Sequence, residues 1–151
     1  KTTMKKIDQK NNIQIVGLEL RTANTEAMQT IPPFWQKFYQ EGILQKIPNR
    51  VSDDVYAVYT NLENEGKNNE GVYSLIIGAE VRKIGTLPKN FVSTVIKPSK
   101  RAVFEVEKGH PEKVGEKWLE IWQTTDIKKT FLSDYELYHA SGEIEIYIGI
   151  K

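Results

Sequence analysis

The chain has 151 residues, enough for one domain with a substantial core and no need of covalent staples. Its 21 basic and 20 acidic residues leave a net charge of +1, which excludes a global field drawing the protein to nucleic acid or to an anionic membrane. Cysteine is absent and the two histidines, His110 and His139, stand far apart, so disulfides and thiolate sites are excluded and no metal or cofactor is expected.

No apolar run reaches the ~20 residues that span a bilayer, and no signal-like apolar segment opens the chain. The expectation is a soluble, cytoplasmic protein without a membrane partner. Lys1 to Asn12 is polar and lysine-rich and reads as a loose terminal extension. Ile13 to Leu20 is a β-type apolar run. Thr22 to Thr30 is turn-prone and leads to Pro32-Pro33, whose fixed φ suits a first helical turn. Phe34, Trp35, Phe38 and Tyr39 follow at helical spacing, and Gly42 is the stop. Pro48-Asn49 turns the chain into a strand at Val55 to Tyr59. A Gly/Asn-rich loop from Asn61 to Gly71, with the composition of a mobile tip or a lid, joins it to Tyr73 to Val81 as a hairpin.

From Phe91 the order recurs. Phe91 to Val95 and Ala102 to Val106 read as strands separated by a turn at Pro98, and Gly109-His110-Pro111 precedes a helix with Val114, Trp118, Ile121 and Trp122 on one face. Tyr135 to His139 and Ile144 to Ile150 close the chain, the last with alternating isoleucines typical of a half-buried strand. Laid against each other, Phe34 to Tyr39 matches Lys117 to Trp122, Tyr56 to Tyr59 matches Tyr135 to Tyr138, and Ile77-Gly78 matches Ile148-Gly149. The economical reading is an α+β domain over 1–151 built as a tandem β-α-β-β duplication, with repeats at about 13–89 and 90–151.

The duplication isolates one residue. Where the first half has Ala57, the second has Glu136, so the scaffold itself does not require a charge there. Strand alternation puts Glu136 on one face with Tyr138, and Tyr135 with Leu137 on the other. A carboxylate on a buried face needs a partner, or its pKa rises, or it awaits a cation. His139 should face away from Glu136, which disfavours an acid/base pair between them. Glu80, Glu143 and Glu145 read as solvated or edge-strand carboxylates.

The segments Ile31 to Ile43, Ile47 to Val51, Tyr56 to Thr60, Tyr73 to Val81, Trp118 to Trp122, Asp134 to Tyr138 and Glu145 to Lys151 together resemble the effector-binding domains of AraC-type and MerR-type multidrug regulators, grouped with gyrase-inhibitor-like proteins. The resemblance covers nearly the whole chain. It implies two modules related by a pseudo-twofold, an antiparallel sheet and two helices flanking a central cleft. It also implies that Glu136 lies at the bottom of that cleft and that Trp118 and Trp122 are aromatic positions of the second helix. The chain departs from the family pattern after Thr60, at Asn61-Leu62-Glu63-Asn64-Glu65. Regulators of this type place a helix-turn-helix module before the effector domain. Here the effector domain is expected to use essentially all 151 residues, so direct nucleic-acid binding is not expected.

The candidate ligand-binding residues are Glu136, Trp118, Trp122, Tyr59, Phe104, Trp35, Phe38 and Tyr138. An aromatic stripe at helical spacing also serves core packing, and both roles hold if the helices splay, with one edge packed and the other open to the cleft. The leading reading is a stand-alone binding domain for small amphipathic or cationic organic molecules, acting as a sensor or sequesterer. A DNA-binding protein or a second copy of the chain is the candidate macromolecular partner. The alternatives are hydrolysis of reactive electrophiles with Glu136 as general base, for which no nucleophile pair or oxyanion motif is found, and a gyrase-inhibitor-like protein-interaction role.

Overall fold

The computed structural model describes residues 4–151. In chain order the elements are β1 (Met4–Gln9), β2 (Ile13–Ala23), α1 (Ala27–Gln40), α2 (Ile43–Lys46), β3 (Val55–Thr60) and β4 (Val72–Glu80), then β5 (Val92–Ile96), β6 (Ser99–Val106), α3 (Val114–Gln123), β7 (Asp134–Tyr138) and β8 (Ile144–Ile150). All eight strands form one antiparallel sheet in the order β1-β6-β8-β7-β3-β4-β2-β5. From the centre outward it reads β3-β4-β2-β5 on one side and β7-β8-β6-β1 on the other, the same topology twice.

The halves meet where β3 pairs with β7. There Ala57 lies directly opposite Glu136, so the two positions matched in sequence face each other across the pseudo-twofold. The small side chain on one strand leaves room for the long one on the other.

The first strand of each half is exchanged. β1 precedes β2 but pairs with β6, whereas β5 precedes β6 but pairs with β2. The sheet also curls, because Gln9 Nε2 donates to the Ile96 carbonyl at 3.3 Å and so ties β1 to β5, the two outermost strands.

This corrects the reading of Lys1 to Asn12 as a loose extension. Residues 1–3 lie outside the described residues, and Met4–Gln9 is an edge strand. Its mostly exposed polar side chains carry no burial pattern; backbone pairing to β6 makes it a strand. The first helix also differs. It starts at Ala27, five residues before Pro32, and both prolines lie inside it. The carbonyls of Met28 and Gln29, which Pro32 and Pro33 cannot serve, belong to exposed residues where water can replace the bond. Gly42, at φ 60, ends the helical path as expected.

Three buried clusters result. One packs α1 and α2 on β2, β3 and β4 around Phe34, Phe38, Leu75 and Ile77. A second packs α3 on β6 and β8 around Phe104, Ile121, Ile146 and Ile148. The third lies on the opposite face and contains Ile15, Tyr56, Val58, Ile76, Ile96 and Tyr135. There Tyr135 stacks on Tyr147 at 4.6 Å, and the buried Arg101 guanidinium sits 5.3 Å from the Tyr135 ring centre.

Candidate ligand-binding site

Because side chains alternate along β7, Asp134, Glu136 and Tyr138 point to the helix side while Tyr135 and Leu137 join the core on the other face. The first three contribute to a cavity of about 640 Å³ between α1 and α3. Helix α1 supplies Met28, Ile31 and Trp35 to its wall, and α3 supplies Trp118, Leu119 and Trp122. Leu62 and Asn69 come from the loop after β3, which is tied down where Gly66 N–H donates to the Phe131 carbonyl at 3.0 Å.

Glu136 is 2% exposed. Its Oε2 accepts from the Tyr59 hydroxyl at 2.8 Å and from Trp118 Nε1 at 2.7 Å, and its Oε1 accepts from the Tyr138 hydroxyl at 2.6 Å. All three donors are neutral, and among the described residues the carboxylate has no ion-pair partner. Burial pushes its pKa above the ordinary carboxylate value, against the opposing pull of Tyr138, Trp118 and Tyr59. Burial first, and Glu136 second, push the Tyr59 and Tyr138 phenols well above their usual value, so both remain protonated donors. Three of about four lone-pair positions on the carboxylate are used, and its ionised form has no counter-charge among the described residues.

The aromatic frame is nearly symmetric. Trp35 meets Tyr138 edge-on at 5.1 Å and 72°, and Trp118 meets Tyr59 edge-on at 5.3 Å and 71°. Each helix tryptophan thus packs on the tyrosine of the other half. Trp35 also stacks on Tyr39 at 5.9 Å, as Trp118 leans on Trp122 at 6.1 Å.

Six of the eight expected residues therefore line the cavity: Glu136, Trp118, Tyr59, Tyr138, Trp35 and, 44% exposed at the mouth, Trp122. Phe38 and Phe104 do not. Both are 0% exposed, Phe38 one turn beyond Trp35 and turned into the first core, Phe104 on β6 beneath α3. A helix with four aromatics in one turn and a half must bury some of them, and Phe104 is enclosed in the second core beneath α3.

His139 and Glu145 are placed on the other side of the sheet from Glu136. His139 Nε2 contacts Glu145 Oε1 at 2.9 Å and Tyr147 donates to the same oxygen at 2.9 Å. Glu145 is accordingly neither solvated nor at an edge: β8 has partners on both sides, and the side chain is 18% exposed. Burial pushes its pKa up, but His139 and Tyr147 outweigh this and hold it low.

Other wall residues were not anticipated from the sequence. Tyr73, whose hydroxyl donates to Asn24 Oδ1 at 2.9 Å, lies beside Tyr59. Asp134 carries a signal that was there to find, since it stands two residues before Glu136 on the same strand face. Its Oδ1 accepts from the Gly149 N–H at 2.8 Å, and burial pushes its pKa up to about 6 despite that bond and the fields of Arg101 and Lys129. Lys129 and Phe131, the latter with φ 54, come from the irregular segment before β7, where no periodicity marks them.

A curled antiparallel sheet built twice over, with helices on one face, is the effector-binding fold. The chain belongs to the integron-associated effector-binding proteins, whose family model, Cass2, matches residues 6–150. Among solved structures it is similar to an integron cassette protein from the mobile metagenome of Vibrio cholerae, at 24% identity and TM-score 0.78, covering 98% of this chain and 95% of that one. It is also similar to SAV2435 bound to tetraphenylphosphonium, at 21% identity and TM-score 0.76, covering 100% and 94%. A putative bacterial transcription regulation protein from Staphylococcus aureus MU50 gives 20% identity and TM-score 0.75, covering 100% and 98%. At these identities the structural likeness speaks for the fold alone. Among curated proteins none matches the chain in sequence.

Proposed function

We propose that the protein binds small amphipathic organic cations in this cavity and acts as a sensor or sequesterer of them. The observation that carries the reading is the Glu136 carboxylate, buried, hydrogen-bonded only by neutral donors, and set at the floor of an aromatic chamber. A cation in that chamber gains the uncompensated charge of Glu136 in a medium of low dielectric, and roughly 0.5–2 kcal/mol from each ring face it covers. With Tyr59, Trp118 and Tyr138 already donating, the carboxylate has little acceptor capacity left, so it attracts by its field more than by new hydrogen bonds. That favours delocalised or quaternary cations over primary amines. The occurrence of tetraphenylphosphonium in SAV2435, a protein of the same fold, supports this choice of probe.

The three tryptophans of the chain, Trp35, Trp118 and Trp122, all stand on the cavity wall, so selectively excited tryptophan fluorescence reports on this site. The test is titration with tetraphenylphosphonium and with uncharged triphenylphosphine oxide. Wild type should show saturable quenching by the cation. In Glu136→Gln the affinity for the cation should fall by roughly 2–5 kcal/mol, the scale for removing one member of a buried charge pair, while that for the neutral probe changes by less than about 1 kcal/mol. Equal losses for both probes would assign the role of Glu136 to shape, and no loss for either would remove it from the site.

A further inference from the structure

Lys129 is the only cationic residue on the cavity wall among the described residues. It forms an isolated bridge with Ile150 of β8. Ile150 already pairs with Lys100 of β6 on its other side, so Lys129 occupies the lane of β7, further along the same edge of β8. Glu136 pairs with Ile146 in that lane. From Ile146 to Ile150 is four residues of strand, roughly 13 Å, so carboxylate and ammonium mark two separated stations of one chamber, on the order of 10 Å apart once the side chains reach inward.

The ammonium is under-used by the protein. Of its three N–H donors one goes to the Thr124 carbonyl at the end of α3, at 3.1 Å, and among the described residues the other two have no acceptor. Among the described residues no carboxylate ion-pairs with it; Asp134, an acid on the same wall, spends Oδ1 on the Gly149 N–H and is felt by Lys129 only through space. Burial lowers the Lys129 pKa, with Asp134 and Asp126 opposing, the direction expected of a cation short of compensation.

We propose that Lys129 is an anion station of the cavity and that the ligand class is amphoteric: an organic cation for Glu136 bearing a carboxylate or comparable anionic oxygen group at its far end for Lys129. The inference rests on the reading of Glu136 as the cation station. The negative end of such a ligand takes up the two free donors of Lys129, while the aromatic walls hold the body between. Asp134 stands between the stations and selects for a ligand whose negative group reaches past it.

The experiment compares rhodamine B, a xanthylium cation with a free carboxylate, with its ethyl ester, which keeps the cation and loses the anion, at pH 8 on wild type, Lys129→Met, Lys129→Arg and Glu136→Gln. Wild type is expected to prefer the free acid by about tenfold, the equivalent of one charge-assisted hydrogen bond. Lys129→Met should erase the preference by weakening the free acid without weakening the ester, Lys129→Arg should keep it, and Glu136→Gln should weaken both dyes alike. Equal affinity of wild type for the two dyes, or an equal loss of both in Lys129→Met, overturns the anion station. Loss of preference in Lys129→Met with both dyes indifferent to Glu136→Gln supports Lys129 as an anion site but overturns the cation reading and with it the amphoteric class. Failure of either dye to bind wild type overturns both.

Discussion

Trp35 and Tyr138 meet at 5.1 Å and 72°, Trp118 and Tyr59 at 5.3 Å and 71°, so the first half of the molecule and the second build their side of the cavity with the same edge-on pair. They part company at the junction. The first half contributes Ala57 and the second Glu136, directly opposed across β3 and β7. One consequence reaches the helices: Trp118 Nε1 donates to Glu136, while Trp35, its counterpart, has no carboxylate to serve. A symmetric frame thus carries a polar site through one difference on its axis. On that axis two equivalent positions touch, and only one of them can carry a bulky charge.

The hardest blow to this asymmetry is to make the halves alike. Ala57→Glu would set two carboxylates face to face in a fully buried place, Ala57 being 0% exposed. The expected loss of stability is about 3–5 kcal/mol, the range for an uncompensated buried charge, measured by chemical denaturation. A smaller loss would mean that one carboxyl stays protonated and donates to the other.

Moving the charge instead of doubling it sharpens the comparison. Glu136→Ala alone should abolish the preference for tetraphenylphosphonium over triphenylphosphine oxide. The double variant Ala57→Glu/Glu136→Ala should recover roughly half of the lost 2–5 kcal/mol, because Tyr59, Tyr138 and Trp35 stand ready around the mirrored position. No recovery by calorimetric titration would show that the frame is symmetric in outline only.

A milder contrast comes from the two tryptophans. Trp118→Phe keeps an aromatic ring, though a smaller one, but deprives Glu136 of a donor and should cost about 1–3 kcal/mol of stability, whereas Trp35→Phe should cost less than about 1 kcal/mol. Equal costs would mean that the Trp118 hydrogen bond contributes nothing beyond packing.

The smallest effect separates the two acids of β7 by pH. The folded-state pKa of Asp134 is raised from 3.8 to about 6, so the native state holds its proton more tightly than the unfolded chain does. The stability this confers is complete below 3.8 and is lost as pH rises through about 6. Asp134→Asn keeps the acceptor for Gly149 and removes the titration. It should match wild type at pH 3.5 and exceed it at pH 8 by about 1–2 kcal/mol, discounted because Asp134 is only partly buried. A constant difference across that range would remove Asp134 as the titrating group. Glu136, raised in the same direction, predicts in addition that cation affinity falls as pH drops through its folded-state pKa, since only the ionised form attracts the ligand.

Much of this was legible in the residues. Apolar β-type runs marked β2 to β8, with clear alternation in β8, helical spacing marked the aromatic face of α1 and α3, and the repeated order pointed to Ala57 and Glu136 as equivalent positions. These features are periodic, local and written in burial. What escaped was neither periodic nor local. β1 is polar and owes its existence to β6; Phe38 and Trp35 share a helical stripe that only the packing divides; Lys129 and Phe131 lie in an irregular stretch.

Sequence by itself determined the α+β class, the two-fold repetition and the singular position of Glu136, because secondary-structure period and the lapse of a repeat are properties of residue order alone. Tertiary structure alone decided which aromatics face the cavity, that Tyr59, Trp118 and Tyr138 converge on one carboxylate, and that β1 and β5 trade places between the halves. Each of these depends on contacts between segments far apart in the chain, Tyr59 and Glu136 being 77 residues apart, and no local preference encodes where two such segments will meet.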